Sequence, residues 1–252
     1  VSLRLLSYNI RLGGAGREGP LAAVIGACKP DLAILQEAVR PDVVERLAAA
    51  CGMRKWGALR GHSLAFLSRG DIAHHAWHKI PLARRRYLEV VLEKEHARVF
   101  GVHLSAIHSN LTELRRGYEV RALLSGIARH QHGFHVVTGD FNTLAPREDL
   151  DLRRLPRRLR AIVWLTGRKI RWTTIQAMLD GGYIDGYRRL HEADAGFTFP
   201  TRDPHVRLDY TFLPAAFQAR LRNCEVVRDA PGVREASDHF PLVSEISPAG
   251  EQ

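Results

Sequence analysis

The chain has 252 residues, with 37 Lys and Arg against 27 Asp and Glu, a formal net charge of +10. At 45% hydrophobic and 25% charged, its composition excludes intrinsic disorder, a collagen-like repeat and a disulfide scaffold. A chain of this size can bury roughly 70% of its surface, enough for a sizeable core.

Cys28, Cys51 and Cys224 lie far apart and in no zinc-ligand spacing, so a reducing compartment is expected. No apolar run approaches the ~20 residues that cross a bilayer. The first residues lack the basic, apolar, small-residue order of a secretory signal. A cytoplasmic, monomeric protein is the expectation.

Taken in chain order, residues 3–10 (LRLLSYNI) are an apolar-rich run closed by Arg11 and Gly13-Gly14, which reads as a strand entering a loop. Pro20 opens a helical stretch and Lys29-Pro30 closes it, with proline at the first turn and just past the last. Residues 32–35 follow as a strand, and residues 41–50 as a helix ended by Cys51-Gly52. Strands are predicted at 63–68, 87–93 and 99–104, the last two joined by a charged hairpin turn. From Asn110, the apolar residues Leu111, Leu114, Tyr118, Ala122 and 124–127 recur at helical spacing until Gly133. Residues 134–138 form a strand, 173–179 a helix, and 207–213, 225–227 and 242–246 the remaining strands. The Gly13–Gly16 stretch reads as a flexible loop, and His74, His75 and His78 as a solvated polar stretch.

This interleaving predicts an α/β fold. About ten strands are more than one twisted open sheet comfortably holds. Two packed mixed sheets with helices outside, a four-layer α/β/β/α sandwich forming one domain over residues 1–252, is therefore expected. A basic insertion at about 150–172 stands apart: Arg153, Arg154, Arg157, Arg158, Arg160, Arg168, Lys169 and Arg171 carry eight positive charges, and residues 153–171 hold no acid. Such a segment reads as a solvated helix-and-turn face or, in preference, as a phosphate-tracking surface. With 162–165 (IVWL) interleaved, it also suits an anionic membrane surface, and nucleic acid is the preferred partner. For Arg84, Arg85 and Arg86 a solvated face is favoured.

Polar residues gather at strand ends, where open α/β sheets place their sites: Asn9, Gln36-Glu37, His103, Asp140, Asn142, Asp209 and Asp238-His239. Singly, each has an ordinary structural explanation; Asp209, for instance, could pair with Arg207. Together they suit metal-assisted phosphoryl transfer. A hard cation takes one or two carboxylates plus waters and a substrate phosphate, and Glu37 and Asp238 could supply them. A second carboxylate or a histidine can orient the attacking water, which fits Asp140 and His239. In an extended GDFN segment, Asp140 and Asn142 would face one side and Phe141 the other.

The motifs SYNI, LQE, VHLSA, GDFN, RLDYTF and SDHFPL occur in that order. On them, the chain resembles the endonuclease/exonuclease/phosphatase superfamily, the fold of pancreatic deoxyribonuclease. The resemblance implies a divalent-metal phosphoesterase site using Mg²⁺, or Mn²⁺ in its place. It implies that Glu37 binds metal with Asn9 and Asp238 close to the same ion, and that Asp140 and Asn142 orient water and bind the scissile phosphate. It further implies that His239 is the catalytic histidine held by Asp209, and that His103 contacts phosphate. Deoxyribonuclease-like members carry a further glutamate in the strand before the His103 motif; Glu89, the nearest acid, falls a few positions away. Phe240 after SDH stands where lipid and inositol phosphatase branches carry a basic residue, which disfavours inositol phosphates.

The expected function is a Mg²⁺-dependent phosphodiesterase acting on nucleic acid, DNA more than RNA. Arg157, Arg158, Arg160, Arg168, Lys169 and Arg171 are the expected substrate contacts. A phospholipid or small phosphate ester is the alternative substrate. A catalytically inactive nucleic-acid-binding module is the alternative of another class, disfavoured because a mere binder has no need of buried, mutually repelling carboxylates.

Overall fold

The chain, seen in a computed structural model, is described over residues 2–94, 97–106, 109–148, 150–154, 157–165 and 172–247. One mixed sheet contains β1 (Leu3–Asn9), β2 (Leu32–Gln36), β3 (Lys55–Ala58), β4 (Ala65–Ser68), β11 (Leu221–Val226) and β12 (Leu242–Ile246), in the order β11-β12-β1-β2-β4-β3. The other contains β5 (Ile72–Lys79), β6 (Arg86–Leu92), β7 (Arg98–His103), β8 (His135–Asp140), β9 (Tyr183–Asp185) and β10 (Asp209–Pro214), in the order β5-β6-β7-β8-β10-β9. The central pairs β1/β2 and β7/β8 are parallel. Helices α1 (Glu18–Cys28), α2 (Pro41–Ala50), α3 (Asn110–Ile127), α4 (Arg157–Leu165), α5 (Thr174–Asp180), α6 (Gly186–Leu190) and α7 (Val233–Ala236) are the described α-helices, and four short 3-10 helices accompany them.

Both faces of the central strands are buried, so they read as unbroken apolar runs. Leu3, Leu5, Leu32 and Ile34 of the first sheet meet Leu88, Val90, Val99 and Val136 of the second between the layers. The alternate residues Leu6, Tyr8, Ala33 and Leu35 pack against α1 and α2. On the far side, Phe100, Val102, Val137 and Phe212 pack against Val120, Leu123 and Ile127 of α3 and Ile175 and Met178 of α5. These four layers are the expected sandwich.

Three strands escaped the sequence. β3 is half exposed and β9 has three residues. β5 carries His74, His75 and His78, so the stretch read as solvated is an edge strand paired along its length with β6. Its polarity is that of an unshared sheet edge. Residues 63–64 and 207–208 precede β4 and β10 rather than beginning them, and β11 starts at Leu221. In α3 the periodic residues Leu111, Leu114 and Tyr118 are exposed. The buried face is instead Glu113, Arg116, Gly117, Val120, Leu123 and Ile127, because an ion pair occupies the first turn of the inner stripe.

That pair ties several segments together. Ser109 caps α3, accepting from Thr112 N at 3.2 Å, which satisfies one of the unpaired amides of the first turn. The buried Glu113 carboxylate accepts from Arg116 (2.9 Å), from Thr143 Oγ1 (2.8 Å), and from the backbone N–H groups of Thr173 and Thr174 (2.8 Å each). Arg116 Nη1 donates onward to Ser105 O at 2.8 Å. Burial opposes charge on Glu113, but Arg116 and these donors outweigh it and hold its carboxyl below the usual range. Glu113→Gln removes the buried negative charge that balances Arg116 and is expected to cost about 3–5 kcal/mol, read as a lower urea midpoint. Because the folded carboxyl is depressed, the wild-type contribution is complete above the ordinary glutamate pKa and lost as pH falls through the lower folded value. The stability gap between wild type and variant should therefore close in acid.

Candidate active site

Four rows of inner-facing side chains end at one edge of the intersheet layer. Period-two alternation runs Leu3, Leu5, Ser7, Asn9 on β1; Val99, Gly101, His103 on β7; Val136, Thr138, Asp140 on β8; and Leu213, Thr211, Asp209 back along β10. Register fixes the neighbours: His103 is beside Asp140 in the parallel pair, and Asp209 is opposite Asp140 in the antiparallel one. The apolar row thus gives way to a buried polar end in which Asn9, His103, Asp140, Asp209 and His239 converge.

Asp140 is the centre. Its Oδ2 accepts from Asn9 Nδ2 at 3.0 Å, with His103 Nε2 at 3.7 Å and His239 Nε2 at 3.9 Å. Its Oδ1 accepts from Asn142 N at 2.8 Å. His239 Nδ1 lies 2.8 Å from Asp209 Oδ2, while the other oxygen of Asp209 is buried without a partner among the described residues. Burial opposes charge on His239, yet Asp209, with Asp140 and Asp238, outweighs it and raises its pKa to about 10. Burial lowers His103 to about 4 despite the pull of Asp140, and Arg85 and His239 add to the lowering. Burial, and then Asp209, push Asp140 upward against both histidines.

The tautomer of His103 follows from its partners. Ser63 Oγ accepts from Glu37 N at 3.0 Å, leaving its own proton free for His103 Nδ1, which it contacts. Arg85 Nη1, which can only donate, lies 3.4 Å from the same nitrogen. Nδ1 is therefore the acceptor and Nε2 carries the proton. Neither Ser63 nor Arg85 was singled out in the sequence. Ser63 lay inside an apolar run read as strand, and Arg85 inside a cluster read as solvated.

Glu37 joins the centre through Asn9 Nδ2, 3.3 Å from its Oε1, while Leu12 N donates to Oε2 at 2.6 Å and Gly13 N to its carbonyl at 2.9 Å. The glycine loop read as flexible is thus a turn wrapped on Glu37, with Gly13 and Gly14 buried. Glu37 (φ 56°), Arg11 (φ 52°) and Asn142 (φ 53°) all occupy the left-handed region, a cost characteristic of functional sites. Asp238 reaches Arg11 Nε at 3.4 Å, and no described contact joins it directly to Glu37. The GDFN segment is therefore not extended. Phe141 does point into the core, against Tyr210 and Phe212, but Asn142 turns and donates from Nδ2 to Leu104 O at 3.2 Å.

Other expectations separate from the site. Arg207 pairs with Asp185 (2.7 Å) and Glu148 (2.6 Å), leaving Asp209 to His239. Glu89 is buried on the α3 side of β6, bound to Arg98 and to His78 at 2.6 Å. Arg157, Arg158 and Arg160 are exposed on α4, with no described contact to the centre. Arg168, Lys169 and Arg171 lie outside the described residues. Arg84 is exposed, as a solvated face requires, while Arg85 and Arg86 are half-buried, and all three line a cleft that reaches His103.

Buried carboxylates and imidazoles thus gather at one end of a two-sheet sandwich. Residues 6–239 match the model of the Endonuclease/Exonuclease/phosphatase family, and the chain belongs to that family. A 3′ phosphatase from Neisseria, solved with product DNA hairpin, is similar at 21% identity and a TM-score of 0.71, covering 97% of this chain and 99% of its own. An AP endonuclease from Archaeoglobus fulgidus is similar at 16% identity and a TM-score of 0.73, covering 97% and 99%. An endonuclease/exonuclease/phosphatase from Beutenbergia cavernae is similar at 20% identity and a TM-score of 0.74, covering 99% and 72%. No curated protein matches the sequence.

Gly139 delivers Asp140 to the centre at φ 147°, where an added Cβ would stand 2.0 Å from Val102 O. Gly139→Ala is expected to cost at least 1–3 kcal/mol, about the size of local backbone strain, and to shift the Asp140 carboxylate. Thermal unfolding reads the first effect and the amide resonances of Asp140 and Asn142 the second.

Proposed function

We propose that this chain is a divalent-metal-dependent phosphodiesterase that hydrolyses nucleic acid. The convergence of Asn9, His103 and His239 on one oxygen of Asp140 carries the reading. Asn9 donates to that oxygen and the two imidazole Nε2 atoms stand 3.7 and 3.9 Å from it, a cluster of donors able to meet the equatorial oxygens of a phosphoryl group once one occupies the site.

The site's chemistry fits a hard cation. Asp140 and Asp209 face each other across paired strands, and a buried oxygen of Asp209 has no partner among the described residues. Ligand atoms of Asp140, Asp209 and His239 lie within 4.8 Å of one another. Since His239 Nδ1 is engaged by Asp209, the all-oxygen donors Glu37 and Asp238, with Asn9, are the favoured holders of Mg²⁺ or Mn²⁺. Bound there, such an ion supplies Lewis-acid charge that offsets the negative charge growing on the phosphoryl oxygens.

The remaining roles belong to the chain. Asp140 orients the attacking water and takes its proton as the ester P–O bond opposite the water breaks, and the leaving oxygen takes up a proton from solvent. His239, charged at neutral pH and steadied by Asp209, places its Nε2–H on the phosphoryl oxygens. Neutral His103 presents its Nε2–H to the same group, and Asn142 holds Asp140 through its backbone N–H. The nucleic-acid substrate is supported by the DNA hairpin in the Neisseria structure, the net charge and the arginines of α4; neutralising Arg157, Arg158 and Arg160 should weaken binding and flatten its salt dependence.

Turnover of plasmid, single-stranded oligonucleotide and bis(p-nitrophenyl) phosphate with Mg²⁺ or Mn²⁺ should vanish in EDTA. Asp140→Asn and His239→Ala should each lower kcat by roughly 10²–10⁴-fold without loss of secondary structure by circular dichroism. Absence of hydrolysis on every ester with metal present would sink the proposal.

A further inference from the structure

The cleft next to His103 holds about 460 Å³ and opens beside the proposed reaction centre. Arg84 and Arg85 come to its lining from the turn between β5 and β6, Arg86 from the first position of β6, and Arg115 from α3. His62 and His103 line it as well, and none of its lining residues is an acid. Arg84 has no carboxylate partner among the described residues. Among the described residues the Arg85 side chain reaches only His103, and Arg86 donates to Trp77 O at 3.3 Å. Arg115 is paired, with Glu119 at 3.3 Å, and remains half exposed. Three consecutive uncompensated arginines repel one another and are readily tolerated on an open surface, where water and salt screen them. Converging on a cleft, they create a focused positive potential suited to a phosphate of a polyanionic strand.

The position of the cleft narrows the ligand. Arg85 meets the Nδ1 edge of the His103 ring at 3.4 Å, and the Nε2 edge faces Asp140 at 3.7 Å. One imidazole therefore separates the arginines from the place where the scissile group would sit. An anion bound by the arginines would be a neighbour of the reacting phosphate on the same molecule. We propose that this cleft is a subsite for the phosphate flanking the scissile diester along a nucleic-acid strand, with Arg84 and Arg115 as its outer contacts. The assignment rests on the phosphodiesterase reading and deepens it: the substrate is a strand carrying at least two adjacent phosphates rather than an isolated ester. Trp77 lines the same cleft, its indole N–H held by Leu64 O at 2.9 Å, and offers a fixed aromatic surface for the intervening sugar or base.

The test is binding of a short single-stranded oligonucleotide in EDTA, where no turnover occurs, across a range of salt. Arg84→Gln and Arg115→Gln should each weaken binding about tenfold at low salt, roughly the loss of one charge-assisted hydrogen bond. Each should also reduce the slope of log K against log salt by about 0.7, the value for one phosphate contact on a single strand. Thermal unfolding of both variants confirms that the fold is kept, and Lys at either position should restore the slope. Unchanged affinity and slope in both variants would overturn the subsite. Variant-sensitive binding to phosphatidylglycerol vesicles, without oligonucleotide binding, would overturn its assignment to a nucleic-acid strand. Because binding is read without metal, a protein that binds in an arginine-dependent way yet hydrolyses nothing refutes the catalytic reading alone. One that cleaves diesters but ignores both substitutions refutes the subsite alone.

Discussion

Two carboxylates set face to face in a dry layer are the constraint on which the rest of this molecule depends. Strand pairing places Asp140 directly across from Asp209, an arrangement that is unfavourable for like charges on neighbouring strands. The fold answers with His239, held charged between them, and with Asn9 brought from the other sheet. Neither sheet alone can complete this compensation. Register has to be right in both sheets together, since a slip of one residue would send each polar side chain to the opposite face.

That requirement explains how much could be read from the chain. The central strands were legible because burial on both faces makes them continuous apolar runs between turn residues, and the four layers followed from their number. Asn9, His103, Asp140, Asp209 and His239 were legible because each is a polar residue at the end of such a run, and only their ordered combination distinguished them from turn formers. The edge strands β3 and β5 were lost for the same reason in reverse. With one side open to water they carry lysine, glycine and histidine, and pairing rather than composition makes them strands.

The placement of the arginines and of the α3 stripe escaped the sequence for a shared cause. A periodic apolar pattern locates a helix but does not say which face meets the core. In α3 the inward stripe carries Glu113 and Arg116, satisfied by each other and by threonine donors, while Leu111 and Leu114 remain outside. Charge likewise has no address in a linear sequence. Arg84 to Arg86 look like any solvated turn until β6 is paired between β5 and β7, which sets them beside His103. Glu37 stands between these cases: its identity was visible, but its backbone twist and its cradle of Leu12 and Gly13 amides were not.

Glu113 also clasps the first amides of α5, and this has a consequence for the basic segment upstream of them. The chain returning from that segment is pinned at Thr173 and Thr174, one helix away from Ser105 and the loop beyond His103. Loop-closure cost rises only slowly with length. The intervening stretch of this chain can therefore be lengthened, shortened or recharged while the clasp absorbs the change, leaving the chemical centre unaltered.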